Sequence, residues 1–224
     1  MDSTSPPTPN DRLFKASRLG TVSSINRAIA SGALVDGHGE NEWTALHYAA
    51  MAGRLEAVNH LLALGADPNA ADDWNLTPLH LCTKHFSVCQ ALVTAGADPT
   101  ACSCVTGETP LHASAFEGSL ESAEFFVKSG CDINDNDGDG MSPLHRAIAK
   151  RRTPMAKLLV SLGADPESYN HYNCTCIDAA KEKIGNAFAQ YLRSNIGLAD
   201  AIKLRNEIEL ASPAQNNAKK NKHL

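Results

Sequence analysis

Aromatic residues make up only 5% of the 224-residue chain, and long hydrophobic runs are missing altogether. The first scarcity argues against a β-sandwich, while plentiful Ala, Leu and Gly suit closely packed helices. The second excludes a membrane-spanning helix, which needs about 20 consecutive apolar residues. The stretch Met1 to Asn10 is rich in Ser, Thr and Pro and has no apolar core of a secretory leader. A basic character is also absent. The formal charge is −5 with pI near 6.0, and dense basic clusters are confined to Lys150-Arg151-Arg152 and to Lys219, Lys220 and Lys222. Nucleic acid is therefore not an expected partner, nor is a membrane. The seven cysteines, at 82, 89, 102, 104, 131, 174 and 176, are odd in number and lack the spacing of a disulfide framework. They read as thiols of a reducing compartment, cytoplasmic or nuclear. No GxxxxGK[ST], GxSxG, HExxH or dinucleotide fingerprint occurs, so no enzyme activity and no cofactor is expected.

What is present is a repeat. Thr44-Ala45-Leu46-His47 is followed by Thr77-Pro78-Leu79-His80, Thr109-Pro110-Leu111-His112, Ser142-Pro143-Leu144-His145 and a degenerate Thr175-Cys176-Ile177-Asp178, at spacings of 33, 32, 33 and 33. One period upstream, Asp11-Arg12-Leu13-Phe14 keeps the leucine and begins a more polar unit. Thr or Ser before Pro is a helix start, because the hydroxyl caps free N–H groups and proline's fixed φ suits the first turn. Gly20, Gly53 and Gly118 then break that helix at one common offset. A second helix follows, with apolar residues such as Leu55, Val58, Leu61 and Leu62 on one stripe. Gly32, Gly65, Gly96, Gly130 and Gly163 end it. Hydrophobic residues at 43% supply enough apolar surface for a core, but no unit can bury its stripe alone. The units must stack, each covering the next.

The tetrapeptides, together with Gly65-Ala66-Asp67-Pro68-Asn69, Gly96-Ala97-Asp98-Pro99, Gly130-Cys131-Asp132-Ile133-Asn134 and Gly163-Ala164-Asp165-Pro166, resemble the ankyrin-repeat family. The resemblance implies an all-α solenoid of helix-turn-helix units with projecting β-turn fingers. It covers about residues 11–194, with units starting near 11, 44, 77, 109, 142 and 175. Residues 1–10 and 211–224 are expected as disordered tails, and 195–210 as one more helix against the end. The second full unit departs from the rule, since only 19 residues separate Thr77 from Gly96, against 21 in the other three. Its finger, Asp98 to Thr109, is one residue longer than its counterparts. A trimmed second unit is also found in the ankyrin inhibitors of cyclin-dependent kinases. Leu61 with Asp67-Pro68-Asn69 resembles the ankyrin asparagines hydroxylated by a cellular oxygenase, and the ending Lys222-His223-Leu224 distantly resembles a peroxisomal address.

Several groups look like chemistry and read better as structure. His47, His80, His112 and His145 occupy one position in successive units, and packed helices lie about 8–10 Å apart, whereas zinc needs ligands at about 2.0–2.1 Å. They are expected to hydrogen-bond backbone or hydroxyl groups between units. Cys102-Ser103-Cys104 and Cys174-Thr175-Cys176 sit too far apart along the stack to share a metal, and Cys82 and Cys89 read as small core residues. Asp135-Asn136-Asp137-Gly138-Asp139-Gly140 copies the first half of a calcium loop, but the twelfth position is Arg146 in place of Glu. It is expected to be an acidic finger. Lys150-Arg151-Arg152 falls at an inter-helix turn and reads as a solvated basic turn.

The resemblance implies that fingertips and first helices line a concave binding face. Trp43, Leu76 and Met141 stand immediately before their Thr or Ser, Trp74 and Tyr172 three before it, and Met51 and Phe116 seven after. Exposed apolar and aromatic residues there need a reason other than stacking, and such residues carry much of the energy at interfaces. These seven are the expected ligand-binding strip, with packing of Trp43 and Trp74 between fingers as the alternative. The function so implied is non-catalytic binding of another protein by a monomeric adaptor or scaffold. The alternative is an inhibitory or regulatory subunit of an enzyme such as a kinase or phosphatase.

Overall fold

The computed structural model describes residues 6–198 and 201–202. The described residues form six helical pairs: α1 (Pro9–Leu19) with α2 (Val22–Ala30), α3 (Ala45–Met51) with α4 (Leu55–Ala63), and α5 (Pro78–Leu81) with α6 (Phe86–Thr94). Then come α7 (Pro110–Glu117) with α8 (Leu120–Lys128), α9 (Pro143–Ala149) with α10 (Thr153–Ser161), and α11 (Cys176–Lys183) with α12 (Asn186–Ser194). No strand forms among them beyond an isolated bridge between Tyr169 and Thr175. The odd-numbered helices pack in a row, α1 on α3, α3 on α5, α5 on α7, α7 on α9 and α9 on α11. The even-numbered helices α2 to α10 form a second row behind them. Each unit touches its neighbours, which is the one-dimensional order of a solenoid.

Each inner helix begins where a capping residue stands. Thr8, Thr44, Thr77, Thr109, Ser142 and Thr175 have extended backbones and close capping boxes with the residue three positions on. Four of those partners are the motif histidines, and in the first and last units they are Asp11 and Asp178. The leucines of the motif, Leu13, Leu46, Leu79, Leu111 and Leu144, are fully buried, as are Ile25, Leu61, Leu92, Phe126 and Leu159 from the outer row. Burying each such side chain contributes about 1.5–3 kcal/mol, so the leucine register is the spine of the stack.

The expectation about the N-terminal end needs correction, and those about the C-terminal end fall mostly on residues that are not described. Leu13 does hold the register of Leu46, but α1 starts a turn earlier than residue 11. Thr8 Oγ1 accepts from the Asp11 N–H at 3.1 Å, and Asp11 Oδ2 accepts from the Thr8 N–H at 2.8 Å, so part of the expected tail is a helix cap. The extra helix expected over 195–210 lies largely outside the described residues, and the tail 211–224 wholly so.

Candidate functional site

The inner surface is built from the motif upward. In each full unit Nδ1 of the histidine faces the N–H and hydroxyl of the capping Thr or Ser, at 2.9–3.3 Å. With Nδ1 accepting, Nε2 keeps its proton and donates to a carbonyl of the next unit. His47 reaches Leu76 O at 3.0 Å, His80 Glu108 O at 3.2 Å, His112 Met141 O at 3.0 Å, and His145 Cys174 O at 3.2 Å. Nδ1 thereby closes the cap within its own unit, and Nε2 joins that unit to the next. Burial pushes all four imidazoles below their ordinary value, His80 to about 4. They are neutral rivets of the stack.

The fingers follow a second rule. Asp72, Asp137 and Asn170, five residues before their Thr or Ser, each accept two N–H groups of the finger through Oδ1, at 2.8–3.1 Å. Successive fingers are also joined through the backbone: the Asp73, Cys104, Gly138 and His171 N–H groups donate to Asn41, Trp74, Thr106 and Asp139. The lengthened finger absorbs its extra residue by pairing one place further from Thr109. Two residues before each Thr or Ser the backbone is left-handed, at Glu42, Asn75, Gly107, Gly140 and Asn173, with φ from 55° to 71°. Asn and Gly tolerate that region and Glu42 does not do so readily.

Onto this frame the structure sets the seven strip residues unequally. Trp43 is half-buried: its indole N–H donates to Asp72 Oδ2 at 3.0 Å, its ring stacks 5.9 Å from His47, and Tyr48 meets it edge-on at 5.2 Å. Leu76 and Met141 are half-buried and serve through their carbonyls. Trp74, 43% accessible, and Tyr172, 73% accessible, stand out on the second and fifth fingers. Met51 and Phe116 are brought together across a gap. The first helix of the second unit, α5, has four residues where α3 has seven and α7 has eight. The absent turn opens a pit of about 340 Å³ lined by both residues and by Leu81, Ala113, Lys84 and His85. His80, Thr83, Glu108 and Glu117 complete its wall. Phe116 carries the Lys150 ammonium 4.2 Å above its ring, so this member of the basic turn covers part of the strip. The 19-residue spacing was the signal for this pit, but Leu81, Lys84, His85 and Ala113 carry no motif of their own.

The calcium-like finger is closed by the residue that breaks its pattern. Arg146 lies 2.6 Å from Asp137, 3.1 Å from Glu108 and 3.7 Å from Asp139. A guanidinium stands where a cation would be sought. Among the described residues no group of three or more His, Cys, Asp or Glu side chains has the arrangement of a metal site. Cys131 and Cys176 are buried thiols pushed up to about 12, which leaves them unreactive. Cys82 and Cys89 lie in the core, as expected of small core residues. Both are fully buried, and their sulfurs meet as a disulfide between α5 and α6. The other five cysteines are unpaired. No helix among the described residues is long and apolar enough to cross a membrane.

A family model for ankyrin repeats (3 copies) matches residues 13–101 and 84–170. The chain is 32% identical over 151 residues to an L-asparaginase of Dirofilaria immitis, covering 66% of this chain and 25% of that protein. It is 26% identical over 232 residues to the human SH3 and multiple ankyrin repeat domains protein 2, covering 96% of this chain and 12% of that protein. It is 33% identical over 132 residues to the palmitoyltransferase AKR1 of Lachancea kluyveri, covering 57% of this chain and 18% of that protein. The chain thus spans a quarter or less of the length of these relatives, which include proteins named as enzymes. What they have in common with it is the repeat, and ankyrin repeats generally mediate protein–protein interaction. The match covers most of a chain whose 33-residue period and two rows of helices were read independently, and the chain belongs to the ankyrin-repeat family.

Proposed function

We propose that this chain is a non-catalytic adaptor or scaffold that binds a partner protein on its finger and inner-helix face. The observation that carries the reading is the pit between Met51 and Phe116, a partly apolar opening on a face whose stacking groups are otherwise committed to one another. Trp74 on the neighbouring finger adds an exposed aromatic side chain of the type enriched at binding hot spots. Trp43 contributes less directly, because its indole is engaged by Asp72 and Tyr48. Affinity capture from lysate, comparing the intact chain with Trp74→Ala and Phe116→Ala, tests the reading. Both variants are expected to lose specifically captured proteins while their circular-dichroism melts stay within a few degrees of the parent. Unchanged capture overturns it.

The four-residue α5 supports a second reading, an inhibitory subunit, because a trimmed second unit is the feature shared with the kinase-inhibitor ankyrins. Loss of a captured enzyme's activity on adding the chain distinguishes an inhibitor from an adaptor.

A further inference from the structure

The charge of this chain is sorted by position. The five finger segments, 32–44, 65–77, 96–109, 130–142 and 163–175, hold three, three, two, four and two Asp or Glu residues, fourteen of the chain's 25. They hold none of its 20 Lys and Arg residues. The inter-helix turns at the far ends of the inner helices carry cations, among them Arg54, Lys84 and Arg152. The inner face therefore runs from an acidic finger edge to a basic turn edge, and the pit lies between them with Glu108 on its finger side and Lys84 on its turn side. Lys84 is already matched by Glu117 at 2.9 Å, whereas the finger side keeps an excess of negative charge. Arg146 shows what that side accepts: one guanidinium bridges Glu108, Asp137 and Asp139, and a single positive charge among three carboxylates leaves the group anionic.

We infer that the pit receives an extended basic segment of a partner protein, which seats one Leu, Met or Phe side chain between Met51 and Phe116 and lays flanking Lys or Arg residues along the acidic fingers. This rests on the reading of the inner face as a protein-binding surface and adds the chemistry of the occupant. The cavity, about 340 Å³, exceeds the ~300 Å³ at which ligand pockets begin. Met51, Leu81, Ala113 and Phe116 give the pit an apolar side against which an apolar anchor packs, while His80, Thr83, Lys84, His85, Glu108 and Glu117 line the rest. An extended strand presents alternate residues to one side, so with an anchor in the pit the residues two before and two after it face the same surface, toward the rim carboxylates. Phosphate-rich partners meet the wrong sign of field along the fingers.

The test uses the full chain and an array of immobilised peptides of about ten residues, the span of a linear recognition motif. One set has a central Leu, Met or Phe flanked by Lys and Arg. A second replaces the flanks with Glu and Asp, and a third replaces the anchor with Ser. Retention on members of the first set is expected to exceed that on their matched acidic and Ser counterparts by about tenfold or more. It should fall when salt is raised from about 50 to 300 mM, because the Debye length shortens. Phe116→Ala, which removes a wall, and Ala113→Tyr, which fills the pit from an already folded helix, should each weaken retention by about tenfold. Equal retention by acidic peptides overturns the inference, and so does a basic preference that survives both variants. If lysate capture still depends on Trp74 while the array shows no basic-apolar preference, the occupant is wrong and the face remains a protein-binding one. If neither Trp74→Ala nor Phe116→Ala alters capture, both readings fall.

Discussion

The second and third units start with the same four residues, Thr-Pro-Leu-His, and their histidines make the same bridge to the following finger, yet their surfaces differ. In the third unit α7 runs eight residues to Gly118, whose φ of 84° turns the chain toward α8. In the second, α5 stops after four residues, and the connection to α6 has no left-handed residue. A disulfide between Cys82 and Cys89 ties the shortened helix to its partner. The groups needed for stacking therefore sit in the first turn and in the finger. The last turn of an inner helix is free to be lost, and losing it leaves an opening on the inner face.

The largest effect is expected from removing the histidine bridge from each unit in turn. His112→Ala leaves the buried Thr109 N–H and the Met141 carbonyl without partners, and about 4 kcal/mol of stability should be lost in urea unfolding. His80→Ala should cost as much if the trimmed unit depends on its rivet equally, and a loss below about 1 kcal/mol would show that the disulfide has taken over that role. Acid should follow as the next effect. The unfolded chain binds a proton on His80 near pH 6.5, whereas the folded one holds that imidazole neutral down to about 4. The stability is therefore present above pH 6.5 and lost as pH falls toward 4, by about 3 kcal/mol at most for His80. Melts recorded between pH 7 and 4 should fall steadily, and less so for a His80→Gln variant.

Reduction gives a smaller effect confined to the second unit. Dithiothreitol should lower stability by about 2 kcal/mol in the intact chain and leave Cys82→Ala unaffected, since that variant has no bond to lose. A melt of the parent that ignores dithiothreitol removes the disulfide from the contrast between units. The smallest change is a gain. Arg151 stands where Gly53 and Gly118 stand in their units, with φ of 56°, so Arg151→Gly should stabilise the fourth unit by about 1 kcal/mol. Glu42→Gly should act alike on the first finger, at φ of 61°.

Legibility from sequence divided along similar lines. The motif starts and the buried leucines could be read because capping and register are properties of a few adjacent residues. The histidine bridges could be anticipated in kind, from one residue type recurring at one place. The start of α1 was missed because Thr8-Pro9 lies a turn out of register with the later motifs, although its chemistry is that of a cap. The mutual position of Cys82 and Cys89 was missed because seven residues of sequence do not state how a shortened helix folds back. Among the strip residues, Trp43 and Trp74 are both finger tryptophans, one directly before its Thr and one three before it. Asp72 from the next finger half-buries the first, while the second remains exposed.

The period, the helix starts and the all-α stack follow from the order of residues alone, because each unit's oily stripe has nowhere to go but onto the next unit. Which side chains share the pit is settled in three dimensions, since Met51, Leu81 and Phe116 come from three different units and meet only when the helices are in register. So is the answer of Arg146 to the acidic finger, because a charge finds its counter-charges through space and carries no mark of them along the chain.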